Sequence, residues 1–205
     1  MVLSGATQRF VRYNAILGKI TGLKILLFLL ITHFVLCDKI SLDEKYYLTF
    51  METILLKIIK ILKKLNIKPV IYGSFGVSYY LGNFKQFGDL DLLVEDKFID
   101  NDWEEFNTFL SSHNFVLINR REHEFLLDNF KIGFAKKSIF VKDGIIKDYT
   151  DLVKYGKVDA YTLRPEHFLA AYRFSLKDGY RVTNRFKRDQ EIINKITEYI
   201  KENKL

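Results

Sequence analysis

Apolar and polar residues follow one another along this chain with two periods, one typical of helices and one typical of strands. Residues 48–65 repeat apolar positions at helical spacing with lysines between them, which predicts an amphipathic helix. Residues 70–72 are a short apolar run stopped by Gly73, which is typical of a buried strand, and Ser74 is placed to cap a following helix. The pattern therefore predicts a helix, a strand and a second helix in succession.

A second strand is predicted where Asp89 and Asp91 alternate with Leu90 and Leu92. Alternate side chains of a strand share a face, so the two carboxylates point the same way while the leucines face the core. Two like charges side by side repel each other unless a cation lies between them, and such oxygen-rich pairs suit Mg²⁺ that carries a substrate's phosphates. The alternative is a solvated strand face with two ordinary acids, which are common on protein surfaces.

The rest of the chain combines short strand-like runs with helical patterns. The strand-like runs occupy residues 115–118, 124–127, 130–134, 138–141 and 158–163. Helices are predicted after the capping residues 100–102, from Pro165 to Gly179, and from about Thr183 onward. These elements predict the α/β (α+β) class, with a small mixed β-sheet flanked by helices and a C-terminal helical pair.

Residues 1–50 differ from the remainder of the chain. Residues 25–37 are a nearly unbroken apolar run preceded by basic residues, as in a signal anchor. However, a small-residue cleavage site does not follow, and the run is shorter than the roughly 20 residues of a membrane span. We expect residues 1–50 to be an N-terminal extension, packed on the domain or without order, in preference to a membrane anchor, and residues 51–205 to be the domain. A natural start at Met51 is the third alternative.

Composition and charge limit further what kind of protein this is and which partners it binds. A chain of 205 residues with 48% hydrophobic content is expected to form a globular protein with one good-sized core. The net charge of +7 suits an anionic partner such as a nucleotide or nucleic acid, although many lysine-rich proteins bind neither. The single cysteine, Cys37, excludes an intrachain disulfide and fits a reducing compartment, so a cytoplasmic protein is expected.

The turn at Gly73-Ser74 suits a phosphate, because glycine lets a ligand approach the backbone and the free N–H groups of a helix start attract anions. The chain resembles the signature of the polymerase-β-type nucleotidyltransferase superfamily in one stretch. This stretch consists of Gly73-Ser74, then residues 75–88, then Asp89-Leu90-Asp91. The resemblance is to its small prokaryotic branches: minimal nucleotidyltransferases, lincosamide nucleotidyltransferases and the nucleotidyltransferases of some toxin–antitoxin pairs. It implies a nucleotidyltransferase-like fold in which Gly73 and Ser74 hold nucleotide phosphates. Asp89 and Asp91 would hold Mg²⁺ or Mn²⁺ and carry catalysis.

The superfamily resemblance also implies a third carboxylate on a neighbouring strand, which helps to activate the attacking hydroxyl. The matching stretch here is residues 130–134, and Gly133 stands where an acid is expected. Asp128 or Glu124 would substitute in a different register, although Asp128 is more simply a turn residue. His123 is a candidate base or metal ligand, with an ordinary surface histidine as the alternative.

Basic residues complete the set of candidates. Lys85, Arg185 and Lys187 are the predicted phosphate-binding cations, and the last two lie in C-terminal segments that resemble helices of the small nucleotidyltransferases. Basic residues at a helix start oppose its dipole and therefore hint at an anionic partner. A basic surface patch without a ligand is the alternative for this pair.

Two classes of function follow from these residues. The first is an enzyme that uses Mg²⁺ to transfer a nucleoside monophosphate from an NTP, expected to be ATP, to a hydroxyl of a small molecule, a protein or RNA. The second is a catalytically degraded nucleotidyltransferase-fold module that binds a nucleotide or a partner without turnover, as Gly133 would indicate. A membrane is not among the expected partners.

Overall fold

The computed structural model describes residues 42–82, 88–177 and 179–204, with the backbone alone at residues 42–49 and 180–182. The chain divides into two units, residues 1–51 and residues 52–205. The first unit is described only through the beginning of helix α1 (Leu42–Leu62), and the apolar run at residues 25–37 lies outside the described residues. Within the described ranges, none of the helices is long and apolar enough to cross a membrane.

The elements that follow α1 belong to the second unit. In chain order they are a 3₁₀ turn (Lys63–Leu65), β1 (Val70–Tyr72), α2 (Gly73–Leu81), β2 (Asp89–Val94), α3 (Lys97–Asp100), α4 (Trp103–Ser111), β3 (Val116–Asn119), β4 (Glu124–Leu127), β5 (Phe130–Lys136), α5 (Ile139–Lys142), a 3₁₀ turn (Tyr149–Asp151), β6 (Val153–Lys154), β7 (Tyr161–Thr162), α6 (Pro165–Ser175), α7 (Gly179–Asn184) and α8 (Phe186–Glu202). The strands form a sheet in the order β3-β4-β5-β2-β1-β7-β6. Strand β2 pairs with β5, and β1 with β7, in parallel, while the other neighbours are antiparallel. The predicted α/β class with a mixed sheet is therefore confirmed.

The two faces of the sheet bury different side chains. On one face, Leu93 of β2 belongs to an apolar cluster with Phe168 of α6 and Ile193 of α8. On the opposite face, the ring of Phe106 from α4 meets the ring of Phe134 from β5 edge-on, with centroids 5.3 Å apart. Because side chains alternate along β2, the residues two and four positions before Leu93 lie on the face of the first cluster. These residues are Asp91 and Asp89.

One predicted strand is a helix in the structure. Residues 138–141 form most of helix α5, in which Phe140 is buried while Ile139 and Val141 are exposed. A run of only a few apolar residues carries no usable period, so local sequence does not separate a strand from a single helical turn. The strand prediction for this segment is wrong.

The predicted role of Gly179 is also wrong. Helix α6 ends at Ser175, and Gly179 is the first residue of helix α7. The C-cap residue of α6, Leu176, keeps a right-handed backbone conformation, and its N–H donates to the carbonyl of Tyr172. A helix that ends in this way does not need the left-handed conformation that glycine supplies.

Candidate functional site

The turn between β1 and α2 brings a carboxylate against the backbone. Gly73 has φ of +65°, in the left-handed region that glycine adopts without strain. A Cβ atom on Gly73 would overlap Oδ2 of Asp91 and lie 3.1 Å from its Cγ. The position therefore needs glycine for two reasons, its own backbone conformation and the room for Asp91.

Ser74 does not cap helix α2. The N-cap residue is Tyr72, which has extended backbone geometry and makes no side-chain capping hydrogen bond. The predicted cap is wrong because the helix begins at Gly73, two residues before the start that a Ser74 cap implies, so that Ser74 lies inside its first turn. The first backbone N–H groups of a helix have no partner within it, so this turn still presents donors next to Asp91.

Asp89 and Asp91 lie on one face of β2, as the alternation predicts. Both are half-buried, whereas Leu90 and Leu92 between and beyond them are fully buried. Strand β2 lies in the middle of the sheet, with β1 on one side and β5 on the other. The two carboxylates therefore lie over the centre of the sheet rather than at its edge.

Four residues are in register across the strands around Asp91. Tyr72 of β1, Asp91 of β2, Gly133 of β5 and Glu124 of β4 are successive pairing partners. Residues in register on adjacent strands point to the same face of a sheet, so Glu124 faces the same way as Asp91. A Cβ atom on Gly133 would lie 3.2 Å from Oδ1 of Asp91. Because residue 133 is glycine, β5 places no side chain between the carboxylates of Asp91 and Glu124.

Lys131 lies on this same face, because it pairs in register with Asp89. Its Nζ donates a hydrogen bond to Oε1 of Glu124 at 2.6 Å and lies 3.7 Å from Oδ2 of Asp89. The hydrogen bond to Glu124 raises the pKa of the lysine, burial opposes the rise, and the charges of Glu124, Asp89 and Asp91 add to it. The acidic face of the sheet therefore contains a lysine ammonium that connects β4 with β2.

Asp128 does not take the place of the missing carboxylate. It lies in the β4–β5 turn with φ of +51°, and its Oδ2 accepts a hydrogen bond from Nζ of Lys57 at 2.6 Å. This agrees with the simpler prediction of a turn residue. Of the two acids proposed as substitutes, only Glu124 is in register with Gly133.

A cleft of about 480 Å³ opens beside Asp91 and is also lined by Glu124, Gly133 and His123. The ring of His123 meets the ring of Trp103 at 4.5 Å in an edge-on contact, and the His123 carbonyl accepts the N–H of Phe134. Burial lowers the pKa of this imidazole from its ordinary value. His123 is thus a half-buried residue of the cleft wall, and its role as a base or metal ligand stays a prediction.

Of the three predicted phosphate-binding cations, the structure describes two. Lys85 lies outside the described residues. Arg185 precedes α8 and Lys187 lies in its first turn, both exposed to solvent. Their role in phosphate binding stays a prediction.

Lys131 is the residue that the sequence analysis missed. A signal for it exists, since Lys131 precedes Gly133 by two positions on a predicted strand and therefore shares its face. What the sequence does not contain is the register that brings this strand beside β2.

The donor set of the site is small. In the described ranges, the structure contains no group of three or more histidine, cysteine, aspartate or glutamate side chains arranged to hold a metal ion. Asp89 and Asp91 remain as a pair of hard oxygen ligands on one face, with Asp91 in the space left by Gly73 and Gly133. Such a pair fits Mg²⁺, which is commonly bound through one or two carboxylates, several waters and the phosphates of a substrate.

A comparison with solved structures shows what fold this sheet belongs to. The structure is similar to the solution structure of the antibiotic-resistance factor ANT(2'')-Ia, a nucleotidyltransferase, with a TM-score of 0.52. The match covers 75% of this chain and 84% of that chain at 10% sequence identity, so the likeness shows the fold alone. A scan against family models finds no match.

A protein with a related sequence shows the family to which this chain belongs. The chain is 30% identical over 147 residues to the uncharacterized protein YnaI of Bacillus subtilis (strain 168), and the alignment covers 68% of this chain and 90% of that protein. The chain therefore belongs to the YnaI family, whose fold is nucleotidyltransferase-like in this member.

Proposed function

We propose that this protein is a nucleotidyltransferase that moves a nucleoside monophosphate from an NTP, with ATP as the expected donor, to a hydroxyl of an acceptor. The observation that supports this most directly is the position of Asp91, which occupies the space left by Gly73 and Gly133 and lines a cleft. The acceptor belongs to one of three classes: a small molecule, a protein or RNA. ATP as donor would place the reaction in the cytoplasm.

In the proposed site, Asp89 and Asp91 hold Mg²⁺ or Mn²⁺, and the backbone N–H groups of the Gly73-Ser74 turn bind phosphate oxygens. A divalent cation bound there would neutralise the charge on the phosphates during the transfer. Phosphoryl-type transfer needs mainly positioning and electrostatic stabilisation from the protein, and a central strand paired on both sides, with a tight turn beside it, supplies positioning.

The proposed transfer forms one bond to phosphorus and breaks another. The acceptor's hydroxyl oxygen forms a bond to the α-phosphorus, and the bond from that phosphorus to the oxygen that bridges to the β-phosphorus breaks. Pyrophosphate leaves with that electron pair. The proton of the hydroxyl passes to a carboxylate on the same sheet face, and Glu124 is the candidate because it is in register with Gly133.

A melting experiment tests the metal-dependent nucleotide site. ATP should raise the melting temperature of the full chain only when Mg²⁺ or Mn²⁺ is present, and at about 100 times the dissociation constant the stabilisation is about 2.7 kcal/mol. Asp91→Asn should abolish this shift. Asp159→Asn is the control, since the ion pairs of Asp159 within the described ranges are with the surface residues Lys63 and Lys68. A wild-type chain that shows no shift with any NTP and metal, or an equal shift in Asp91→Asn, would contradict the proposal.

The second candidate is a module that binds a nucleotide without turnover, and Gly133 is the observation that favours it. Incubation with ATP labelled at its α-phosphate, together with a library of small molecules, proteins and RNA, separates the two. Transfer of the label to an acceptor with release of pyrophosphate supports the enzyme. Metal-dependent binding without transfer across the whole library supports the module.

A further inference from the structure

We propose that the site works with one divalent cation and that Lys131 supplies the second positive charge at the phosphates of the bound nucleotide. This inference rests on the proposed function and adds a role for a residue that the nucleotide-binding signature does not contain. It starts from the position of the Lys131 ammonium, which lies between Glu124 of β4 and Asp89 of β2.

The carboxylates of this sheet face suit one divalent cation rather than two. Sites with two metal ions hold them about 3.5–4 Å apart and need carboxylates that reach both ions. Here Gly133 has no carboxylate, and Glu124, its partner in register, is hydrogen-bonded to Lys131 at 2.6 Å. Asp89 and Asp91 are left to hold one ion, and the ammonium occupies the side of Asp89 that faces β5.

The ammonium has the donors that contact with a phosphate requires. A lysine ammonium has three N–H donors, and the hydrogen bond to Glu124 uses one of them. Its contact with Oδ2 of Asp89, at 3.7 Å, is an ion pair that is too long for a hydrogen bond. The Lys131 side chain is 33% exposed, so it is both accessible to a ligand and partly shielded from water. Lysine binds phosphate as a compact point charge, which is the role proposed here.

The proposal predicts two changes of opposite sign when this charge is removed. Without nucleotide, the ammonium repels a divalent cation at Asp89, so its loss should tighten metal binding. With nucleotide, the ammonium attracts the phosphates, so its loss should weaken nucleotide binding. A merely structural lysine would not produce this pair of effects.

The test uses the full chain with Mn²⁺ as the probe ion and α,β-methylene-ATP, whose carbon bridge prevents transfer. Calorimetry gives the affinity of Mn²⁺ alone and of the analogue at saturating Mn²⁺, and electron paramagnetic resonance counts the bound Mn²⁺ ions. We expect one Mn²⁺ per wild-type chain with the analogue. In Lys131→Met, Mn²⁺ alone should bind about tenfold more tightly and the analogue about tenfold more weakly, as expected for one partly shielded charge near 4 Å.

Two further variants make the test specific. Lys57→Met removes a lysine whose ion pair with Asp128 has the same length of 2.6 Å but lies at the β4–β5 turn, so both affinities should match those of the wild type. Lys131→Arg keeps the charge and should keep both affinities within about threefold, which also covers the case that Lys131→Met does not fold.

The outcomes separate this inference from the proposed function. Two Mn²⁺ ions per wild-type chain with the analogue, or equal affinities in Lys131→Met and Lys57→Met, would overturn the role of Lys131 and leave the nucleotide site standing. A wild-type chain that binds the analogue equally with and without Mn²⁺ would overturn the proposed function, and the role of Lys131 with it.

Discussion

Gly73 is the residue on which the geometry of Asp91 depends. The absence of a side chain at this position lets Oδ2 of Asp91 approach the turn, and the left-handed backbone permits the change from β1 to α2. The two requirements can be separated experimentally, because other glycines of the chain share the backbone conformation without the close contact.

Gly73→Ala should destabilise the protein and abolish the metal-dependent nucleotide response. Gly156→Ala is the matched control, since Gly156 also has positive φ, at +54°, but a Cβ there meets nothing within 4 Å. A side chain in the left-handed region costs about 1–2 kcal/mol, so both variants should lose at least this much stability in urea denaturation. Only Gly73→Ala should lose the ATP–Mg²⁺ melting shift. A normal shift in that variant would show that the position of Asp91 does not matter for binding.

The proposed role of Glu124 in turnover can be tested by one substitution. If it accepts the proton of the attacking hydroxyl, Glu124→Gln should lower kcat by about 10²–10⁴-fold and leave nucleotide affinity nearly unchanged, because a base acts on the transition state. Asp128→Asn is the control, as Asp128 is bound to Lys57 in the turn. Initial rates with a labelled acceptor and nucleotide titrations measure the two quantities. Unchanged turnover in Glu124→Gln would mean that another group takes the proton.

At the scale of elements, the β4–β5 hairpin determines what faces Asp91. Its strands are joined at the Leu127–Phe130 pair by Asp128 and Asn129, which both have positive φ, the geometry of a type I′ turn. Such a two-residue turn sets the register of the hairpin. A slip of one residue would turn Glu124 to the opposite face of the sheet, because side chains alternate with a period of two.

Helix α8 is the element that covers much of the face on which the acids lie. It packs against α6 and α2, and Ile193 and Ile196 are its buried residues in the apolar cluster. Since α2 carries the Gly73-Ser74 turn at its start, the packing of α8 supports the position of that turn.

Ile196→Ala should therefore cost about 2–5 kcal/mol of unfolding free energy, because it leaves a cavity where the side chain is 2% exposed. Lys195→Ala removes the exposed neighbouring side chain and should change stability by no more than about 0.5 kcal/mol. Urea denaturation of both variants gives the comparison. A loss below about 1 kcal/mol in Ile196→Ala would contradict the packing of α8 described here.

At the scale of the whole molecule, the boundary between the two units at residue 51 raises the question of how much of the chain the site requires. Every residue of the candidate site lies in the unit of residues 52–205, which contains the entire seven-stranded sheet. Helix α1 begins earlier, at Leu42, and runs through the boundary. The expectation that residues 51–205 form the domain and residues 1–50 an extension remains a prediction.

A chain that begins at Met51 should stay in solution and melt within a few degrees of the full chain, a difference of about 1 kcal/mol or less. It should also keep the ATP–Mg²⁺ shift, since it keeps the whole site. A chain that begins at Leu42 and retains all of α1 is the comparison. Aggregation of both shortened chains would show that the domain does not fold without the preceding residues.

The sequence by itself determined the local features of this protein. Three local features follow from the chemistry of turns and from the period of a strand, which are properties of neighbouring residues. They are the end of strand β1 at Gly73, the alternation of Asp89 and Asp91 with leucines, and the turn at Asp128. Local sequence is less informative where a segment is short and apolar, so the pattern of residues 138–141 predicts a strand although residues 139–142 form a helical turn.

Only the tertiary structure decided which side chains meet. The pairing of β5 with β2 joins residues about 40 positions apart and places Gly133 against Asp91 and Lys131 beside Asp89. The pairing of β4 with β5 then puts Glu124, rather than Asp128, in line with Gly133. Strand register depends on contacts distant in sequence and on the burial of one whole face, and a single strand contains neither. For this reason the pair of Asp89 and Asp91 could be predicted from the chain, whereas the position of Lys131 between Glu124 and Asp89 could not.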